Sequence, residues 1–165
     1  MVRGSTKTFP GWRAIDNVDC NRNGSEGHTL VGQNGAGKST LVKMICGGLA
    51  PDEGSLTIGG SDVDHHAKNY LEAHSIGYVS QEGSLDLEST AYENIFLNRE
   101  HTRFGLVSYR SMYRTAQALA DRYGFDIDLK QKISNLSPSE SKIVEILRAL
   151  SLEPKVLVLD EPTAA

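Results

Sequence analysis

The sequence predicts an α/β fold in which a mostly parallel β-sheet is combined with helices. The run from Val156 to Leu159 is continuously apolar, which is typical of a strand buried on both faces of a parallel sheet. The segment HTLVGQNGAGKSTLVKMICGGL predicts a strand, a glycine-rich turn and a helix, because Leu41, Ile45 and Leu49 recur at helical spacing. A chain of 165 residues is long enough to form one such domain around a hydrophobic core.

The remaining elements follow from shorter patterns. GSLTIGG and SIGYVS predict short strands, and helical periodicity runs through TAYENIFL, SYRSMYRTAQALADRYG and SKIVEILRALSL. We therefore expect a core made of residues 1–81 and 151–165, interrupted by a helical subdomain of residues 82–150. The segment DCNRNGSEGHTLV before the glycine-rich turn is rich in weak strand formers without alternation, so its β element should be short or irregular.

Composition restricts the possible functions. A formal net charge of −4 and a pI near 5.7 argue against a general nucleic-acid binder, which usually presents a basic surface. The two cysteines, Cys20 and Cys46, have no spacing typical of zinc ligands or of a disulfide framework, which fits a reducing, cytosolic compartment. No apolar run approaches the roughly 18 to 20 residues that span a bilayer, so a membrane role is expected only through a partner.

The segment GQNGAGKST matches the phosphate-loop pattern G-x-x-x-x-G-K-[ST] in full. Glycines let the backbone N–H groups surround phosphates, the lysine reaches the β and γ phosphates of a nucleotide, and the serine hydroxyl binds Mg²⁺. A glycine-rich turn with an incidental lysine would explain neither the spacing nor the strand and helix on either side. The residues expected to hold ATP here are Gly32, Asn34, Gly35, Ala36, Gly37, Lys38, Ser39 and Thr40.

A second chemical motif follows the apolar strand near the end of the sequence. The strand runs directly into Asp160 and Glu161, which is a Walker B pattern. A rigid strand would deliver Asp160 to Mg²⁺, and the next carboxylate could polarise the water that attacks the γ-phosphate. A strand that ends at a solvated acidic turn before Pro162 is the alternative, and the phosphate loop makes that alternative less favoured.

Four segments in this order, GQNGAGKSTL, YVSQ, LSPSESKIVEILRAL and VLVLDEPTAA, resemble the ATP-binding cassette domain of ABC transporters. FPGWRAIDNV, AYENIFLNRE and FGLVSYRSM are most similar to the first cassette of the duplicated ATPase subunits of bacterial sugar importers. The resemblance implies a P-loop NTPase core with N-terminal antiparallel β elements and a helical subdomain insert. It also implies ATP and Mg²⁺ as cofactors, and ATP hydrolysis that powers the import of a solute, which the resemblance to sugar importers makes a sugar.

The resemblance also assigns roles to residues outside the phosphate loop. Gln81 matches the Q-loop glutamine, which reaches Mg²⁺ and the attacking water, and so joins Lys38 and Glu161 as a catalytic candidate. Phe9 lies where the family places an aromatic ring against adenine, with Trp12 as the alternative. Ser137 matches the signature serine, which contacts the γ-phosphate held by the opposite cassette of a dimer.

The signature motif departs from the family pattern Leu-Ser-Gly-Gly-Gln. Leu136 and Ser137 match, whereas Pro138, Ser139 and Glu140 replace the last three positions. Ser137, Pro138 and Glu140 also predict a helix start with a capping box. A carboxylate several Å from a phosphate would cost roughly 1 to 3 kcal/mol at an effective dielectric of about 20, and less if Glu140 folds back on Ser137. We therefore expect a dimer with one competent and one compromised composite site.

The implied partners are transmembrane permease subunits, a second ABC cassette in the same or a partner chain, and indirectly a periplasmic or extracellular solute-binding protein, without nucleic acid. The implied location is the cytoplasmic face of the cell membrane. The chain ends at DEPTAA, before the family's D-loop and switch histidine, so we expect a C-terminally truncated cassette that hydrolyses little ATP alone. A regulatory cassette that binds ATP with weak hydrolysis is the alternative.

Two other groups of residues receive structural interpretations. The segment DVDHHAKNYLEAH contains three histidines, but their spacing does not supply the third and fourth ligands of a zinc site. An exposed loop and helix are therefore favoured over a metal site. Tyr109, Met112 and Tyr113 have helical spacing and are expected to pack inside the domain.

Overall fold

In the computed structural model the chain divides into two units, Met1–Ile76 and Gly77–Ala165. The structure describes residues 1–21, 27, 29–33, 35–67, 69–80 and 85–160. Three of the predicted site residues, Asn34, Gln81 and Glu161, lie outside the described residues. The expected division into a core and a helical subdomain stays a prediction.

The first unit contains a four-stranded antiparallel sheet and two helices. The sheet has the order β2-β1-β3-β4, and its strands are β1 (Val2–Phe9), β2 (Trp12–Cys20), β3 (Glu53–Ile58) and β4 (Ser61–Asp62). The helices are α1 (Lys38–Ile45) and α2 (Tyr70–Ala73). The expectation of antiparallel β elements near the N-terminus is confirmed.

The hydrophobic cluster of this unit joins the sheet to α1. Val2, Ile15 and Leu56 come from three neighbouring strands, and Leu41 and Met44 come from α1. The two helix residues are three positions apart and therefore face the same side of α1. This packing fixes the N-terminal end of α1, where the phosphate loop ends.

The strand expected immediately before the phosphate loop is absent from the described residues. Residues 29–33 have no regular structure, and Leu30 and Val31 are 44% and 89% exposed. The predicted apolar strand does not form at residues 29–31. Residues 22–26 and 28 of the segment whose β element was expected to be short or irregular lie outside the described residues, so that expectation stays a prediction. Weak strand formers precede the segment, and it has no strand partner among the described residues, so its backbone groups gain nothing from an extended conformation.

The second unit is mainly helical, as its periodicity predicted. Its helices are α3 (Ala91–Ile95), α4 (Tyr109–Tyr123) and α5 (Pro138–Leu150), with a short 3₁₀ helix at Ile133–Asn135. A small hairpin consists of β6 (Thr102–Arg103) and β7 (Leu106–Val107), and β5 (Ile76–Val79) lies beside β8 (Val156–Leu159). Within the described residues, no helix is long and apolar enough to cross a membrane.

Side chains from α3, α4 and α5 form the hydrophobic cluster of the second unit. Ile95, Met112, Ala116 and Leu147 are at most 1% exposed in this cluster. Met112 and Tyr113 pack as predicted, although Tyr113 is only partly buried. Tyr109 is 55% exposed, so the prediction that it packs inside the domain is wrong. It is the first residue of α4, and the buried residues of this helix begin one turn later, at Met112.

Strand β8 is more exposed than its apolar sequence predicted. Residues Val156 to Val158 are half-buried, and Leu159 is 42% exposed. Burial on both faces requires neighbouring strands and helices on both sides, and in the described residues β8 belongs to a two-stranded sheet with β5. The prediction of a strand here is confirmed, and the prediction of its complete burial is wrong.

The β6–β7 hairpin has an unusual residue at its tip. Its two-residue loop consists of Phe104 and Gly105 with φ angles of 53° and 79°, the φ pattern of a type I′ turn. Asparagine or glycine is preferred at both positions, and a bulky residue in the left-handed region costs of the order of 1 kcal/mol. The Phe104 side chain is 94% exposed and offsets none of this cost by burial.

Candidate nucleotide-binding site

The phosphate loop needs glycine at two positions for different reasons. Gly35 and Gly37 have φ angles of 85° and 81°, in the left-handed region that favours glycine. A Cβ atom on Gly37 would also collide with the backbone carbonyl oxygen of Ala14 on β2, whereas a Cβ on Gly35 would meet nothing within 4 Å. Gly37 therefore lets the loop lie directly against the sheet of the first unit.

The N-terminal end of α1 is arranged to receive an anion. The first helical hydrogen bond runs from Leu41 N–H to Gly37 O at 2.9 Å, so the N–H groups of Lys38, Ser39 and Thr40 have no acceptor within the helix. Gly37 supplies no side-chain cap, and the first turn of α1 contains no acidic residue. These donors, which have no partner within the helix, and the positive end of the helix dipole fit a phosphate group.

The lysine of the loop folds back across it. Lys38 Nζ donates hydrogen bonds to Gly32 O at 2.5 Å and to Gln33 O at 2.9 Å, while Ala36 N–H donates to Gln33 O at 3.1 Å. An ammonium group has three donors, so these carbonyl contacts leave one for a phosphate oxygen. The contacts hold the positive charge over the loop, where a nucleotide phosphate would meet it.

The two candidate adenine-binding rings lie together. Phe9 and Trp12 are opposite each other where β1 meets β2, and their rings stack with centroids 5.4 Å apart and planes 21° apart. Trp12 is 52% exposed and Phe9 is half-buried. The sequence presented them as alternatives, whereas the structure makes them one aromatic surface.

The aspartate that the sequence predicts as the Walker B residue, Asp160, is held at the end of β8. Asp160 N–H donates to Val79 O at 3.0 Å, and the Tyr78 hydroxyl donates to Asp160 Oδ2 across 3.5 Å, which is a weak hydrogen bond. Both contacts come from β5, so strand pairing fixes the position of this carboxylate. Carboxylate and hydroxyl oxygens are the ligands that Mg²⁺ prefers, so the Asp160 carboxylate in the second unit and the exposed Ser39 hydroxyl in the first unit each have suitable chemistry for a metal ligand.

Helix α5 begins with the capping box that the sequence predicted. Ser137 N–H donates to Glu140 Oε2 at 2.8 Å, and Glu140 N–H donates to Ser137 Oγ at 3.3 Å, while Pro138 occupies the first helical turn. The Ser137 hydroxyl also donates to Glu140 Oε2 at 2.7 Å. The Ser137 hydroxyl, which was expected to contact a phosphate, thus donates its hydrogen to the Glu140 carboxylate instead.

The family follows from a match over most of the chain. The family model described as ABC transporter matches residues 15–164. The chain belongs to the ABC transporter family. Solved ABC cassettes share its α/β P-loop NTPase fold: a nucleotide-free ATP-binding cassette superimposes with a TM-score of 0.84 and 26% identity, over 99% of this chain and 69% of that one. A dimeric cassette in a post-hydrolysis state, bound to ADP and Pi, gives a TM-score of 0.79 at 26% identity, over 99% and 74%.

The curated relatives of this ABC transporter chain include sugar importers. It is 40% identical over 163 residues to the ribose import ATP-binding protein RbsA 2 of Streptomyces coelicolor. It is 37% identical over 164 residues to the galactose/methyl galactoside import ATP-binding protein MglA of Salmonella typhimurium. Each alignment covers 99% of this chain and 32% of the relative, so the chain spans about a third of the length of these relatives.

The predicted site residues of this ABC cassette are distributed over both units. The aromatic pair Phe9 and Trp12 lies in the first unit, and Ser137 and Asp160 lie in the second. The first unit also contains the described phosphate-loop residues, which are Gly32, Gly35, Ala36, Gly37, Lys38, Ser39 and Thr40.

Sequence reasoning missed two residues of the second unit. Tyr78 is part of YVSQ, but nothing in that segment indicates its contact with Asp160. Lys142 Nζ donates to Ser80 O at 2.8 Å and forms an ion pair with Glu145 at 2.8 Å. Ser80 immediately precedes Gln81 in the sequence, so Lys142 connects the signature helix of the ABC cassette to the backbone that leads into the Q-loop position. A lysine on a helix carries no local signal of such a contact.

The histidine segment packs more tightly than expected. The Tyr70 ring stacks on His65 at 5.7 Å and meets His74 edge-on at 4.7 Å, and His65 and Tyr70 are half-buried. Burial lowers the pKa of His65 and raises the pKa of Tyr70 to about 12. In the described part of the chain, no group of three or more histidine, cysteine, aspartate or glutamate side chains is arranged to hold a metal ion.

The capping box should make the stability of α5 depend on pH. The hydrogen bonds from the Ser137 hydroxyl and backbone N–H lower the pKa of Glu140 from its usual 4.5. A carboxylate with a lowered folded-state pKa stabilises the protein above the unfolded pKa, and this stability is lost as the pH falls through the folded value. The melting temperature, measured by circular dichroism, should therefore fall more steeply below about pH 4.5 in the natural chain than in Glu140→Gln.

Glu140→Gln is a selective substitution because glutamine also completes a capping box, so only the charge is removed. Asp126→Asn is the matched control, since Asp126 is an exposed acidic residue of the same unit outside any capping box. The two variants should differ below the stated pH and coincide near neutrality. Parallel curves for the natural chain and Glu140→Gln would contradict the role given to this carboxylate.

Proposed function

We propose that this chain is the nucleotide-binding cassette of an ABC importer subunit, and that it binds and hydrolyses ATP to power sugar uptake through a membrane permease. The observation that carries the proposal is the left-handed glycine loop that ends at the uncapped start of α1, with Lys38 held across it. The names of the relatives, which describe ribose import and galactose/methyl galactoside import, support the sugar class.

The residues have distinct proposed roles in phosphate binding. The N–H groups at the start of α1 would donate to phosphate oxygens, and Lys38 would bind the β and γ phosphates. Ser39, Gln81 and Asp160 would hold Mg²⁺, which when bound offsets the negative charge of the phosphates. Glu161 would accept a proton from the attacking water as the bond between the β–γ bridging oxygen and the γ-phosphorus breaks.

The Phe9 and Trp12 pair gives the proposed site its base-binding surface. An adenine ring can stack on an exposed aromatic face, and base–aromatic stacking typically contributes about 1 to 3 kcal/mol. Because the two rings already stack on each other, the surface is organised before the nucleotide arrives. The exposed face of Trp12 is the natural contact for the base in this arrangement.

The proposed partners are a permease and a second cassette, as in the sequence-based expectation. In a head-to-tail pair, Ser137 would face the nucleotide held by the second cassette. The phosphate loop of this chain would instead be completed by the signature of its partner. The cost of an altered signature would therefore fall on the partner's nucleotide and leave the nucleotide of this chain unaffected.

A second candidate function is a regulatory cassette that binds ATP with weak turnover. The observation that favours it is the hydrogen bond from the Ser137 hydroxyl to the Glu140 carboxylate. If Ser137 faces a γ-phosphate as proposed, this carboxylate would lie beside that phosphate and repel it. Under this alternative, ATP would close the pair of cassettes without rapid hydrolysis. Binding experiments cannot separate the two functions, so the decisive measurement is the rate of turnover.

Restoring the family signature should raise ATP turnover. In the complete subunit that carries this cassette, Glu140→Gln removes the charge, Ser139→Gly removes the side chain, and the double variant removes both. The double variant is expected to hydrolyse ATP about twofold faster or more, because a composite site that lacks a transition-state donor contributes little to the total rate. Release of inorganic phosphate at saturating ATP measures the effect.

The single variants serve as controls for the double variant. Each should give a smaller increase, and thermal melting should verify that all three variants remain folded. If the double variant hydrolyses ATP at the original rate, the signature does not limit turnover and the proposed asymmetry is wrong. If the natural subunit already hydrolyses no ATP and the double variant gains none, the regulatory function replaces the first proposal.

A further inference from the structure

The β6–β7 hairpin and the first residue of α4 present a continuous set of exposed apolar side chains. Phe104, Leu106, Val107 and Tyr109 are 94%, 75%, 41% and 55% exposed, within six consecutive residues. In the same unit, the apolar side chains of α3 and α5 pack into one buried cluster. The hairpin tip contributes no side chain to that cluster.

The stretch of sequence that contains this hairpin, between Glu100 and Asp121, carries charge of only one sign. Residues 101–120 contain no aspartate or glutamate and three arginines, Arg103, Arg110 and Arg114, all exposed. With histidine neutral, the segment carries +3, and because the whole chain has a net charge of −4, the remaining residues carry −7. An acidic protein thus places positive charge beside a run of exposed apolar side chains.

The arginines and apolar side chains are held together by the local structure. Arg103 and Leu106 are opposite each other in the hairpin, and the Arg103 guanidinium lies 5.5 Å from the centre of the Phe104 ring. At the base of the hairpin, Ser108 N–H donates to His101 O at 2.7 Å, and His101 Nδ1 lies 3.0 Å from Ser111 Oγ. The hairpin is therefore fixed to the start of α4, where Arg110 and Arg114 lie one turn apart.

The conformation of Phe104 is a second, independent observation. Phenylalanine is disfavoured at the left-handed turn position that it occupies, and its side chain gains no burial there. Asparagine at this position would suit the turn better. Neither the turn nor the hydrophobic cluster accounts for an aromatic residue at the tip, which points to an external contact.

We propose that the β6–β7 hairpin binds the anionic phospholipid headgroups of a membrane surface, with its arginines on lipid phosphates and Phe104 and Leu106 inserted at the interface. Arginine beside exposed aromatic and aliphatic residues is the composition that interfacial segments use. The absence of carboxylates over twenty residues suits a uniformly negative surface such as an anionic membrane. This contact needs no nucleotide, so it stands or fails independently of the proposed ATP chemistry.

Co-sedimentation of the 165-residue chain with phospholipid vesicles tests the proposal. The chain should bind vesicles that contain phosphatidylglycerol and phosphatidylcholine, bind pure phosphatidylcholine vesicles much more weakly, and dissociate as salt increases. Arg103→Gln should weaken binding by about fivefold, since each basic residue near an anionic surface contributes roughly that factor. Phe104→Asn should weaken it by about tenfold through the loss of buried apolar area.

Two control variants distinguish a specific membrane contact of the hairpin from non-specific electrostatic attraction and from misfolding. Phe104→Asn improves the turn, so its melting temperature should be unchanged or higher while its vesicle binding falls. Arg122→Gln is the matched control, because the Arg122 guanidinium also lies 5.5 Å from an exposed aromatic ring, that of Tyr123, at the other end of α4. It should leave binding unchanged.

Three outcomes would overturn the proposal. The first is the absence of sedimentation with phosphatidylglycerol vesicles. The second is an equal loss of binding in Arg103→Gln and Arg122→Gln, which would indicate non-specific electrostatic attraction. The third is self-association that depends on Phe104, seen by size-exclusion chromatography without vesicle binding, which would assign the hairpin to a contact between two copies of the chain.

Discussion

The affinity of the chain for Mg²⁺–ATP is expected to fall by about a hundredfold when Lys38 is replaced by alanine. Lys38 Nζ is held across the phosphate loop by Gly32 O and Gln33 O, where it would meet the β and γ phosphates. A hydrogen bond to a charged group contributes about 1.5 to 3 kcal/mol, and about 1.4 kcal/mol corresponds to a tenfold change in affinity. Isothermal titration calorimetry of the 165-residue chain measures the effect.

Lys43→Ala provides the matched control for this substitution. Lys43 lies in the last turn of the same helix and has an exposed side chain, so its removal changes the charge of α1 but leaves the loop intact. Its ATP affinity should remain within about twofold of the natural value, as expected for a screened surface charge. Equal losses in the two variants would show that Lys38 has no special position at the phosphates.

Replacement of Gly37 by alanine is expected to reduce the free energy of unfolding by about 3 kcal/mol and to abolish ATP binding. Alanine is strained at a φ angle of 81°, and its Cβ would collide with the carbonyl oxygen of Ala14. A backbone atom within a sheet cannot move aside cheaply, so the loop or β2 must shift. Urea denaturation, followed by circular dichroism, measures the change in stability.

Gly35→Ala separates the cost of backbone strain from the cost of the steric collision. Gly35 has a φ angle of 85°, so alanine there has the same backbone strain, but its Cβ would meet nothing within 4 Å. The free energy of unfolding should therefore fall by only about 1 kcal/mol, the cost of the left-handed conformation alone. If the two alanine variants were equally destabilised, the close approach of Gly37 to β2 would have no energetic role.

Local patterns explain why much of this structure could be predicted from the sequence. The capping box of α5 involves Ser137, Pro138 and Glu140, three near neighbours whose hydrogen bonds depend only on the start of the helix. The buried stripe of α4, which includes Met112 and Ala116, follows from helical spacing. The phosphate loop is equally local, because its glycines, lysine and helix start are contiguous.

Contacts between distant segments could not be predicted in the same way. Lys142 and Ser80 are 62 positions apart, and Tyr78 and Asp160 are 82 apart, so nothing in either local sequence indicates their hydrogen bonds. The exposure of Val31 has the same origin, since an apolar run becomes a strand only where another strand can pair with it. The arrangement of the whole unit decides these features.

The hydrogen bond from Lys142 to Ser80 couples the position of helix α5 to the backbone that leads into Gln81. Lys142 lies little more than one turn after the signature serine, Ser137. Its ammonium group donates a hydrogen bond to the carbonyl oxygen of Ser80, the residue before Gln81. A tilt of α5 would either pull that peptide along or break a charge-assisted hydrogen bond, at a cost of about 1.5 to 3 kcal/mol. A force applied at the signature end of the helix can therefore reach the backbone before Gln81 through the Lys142 side chain.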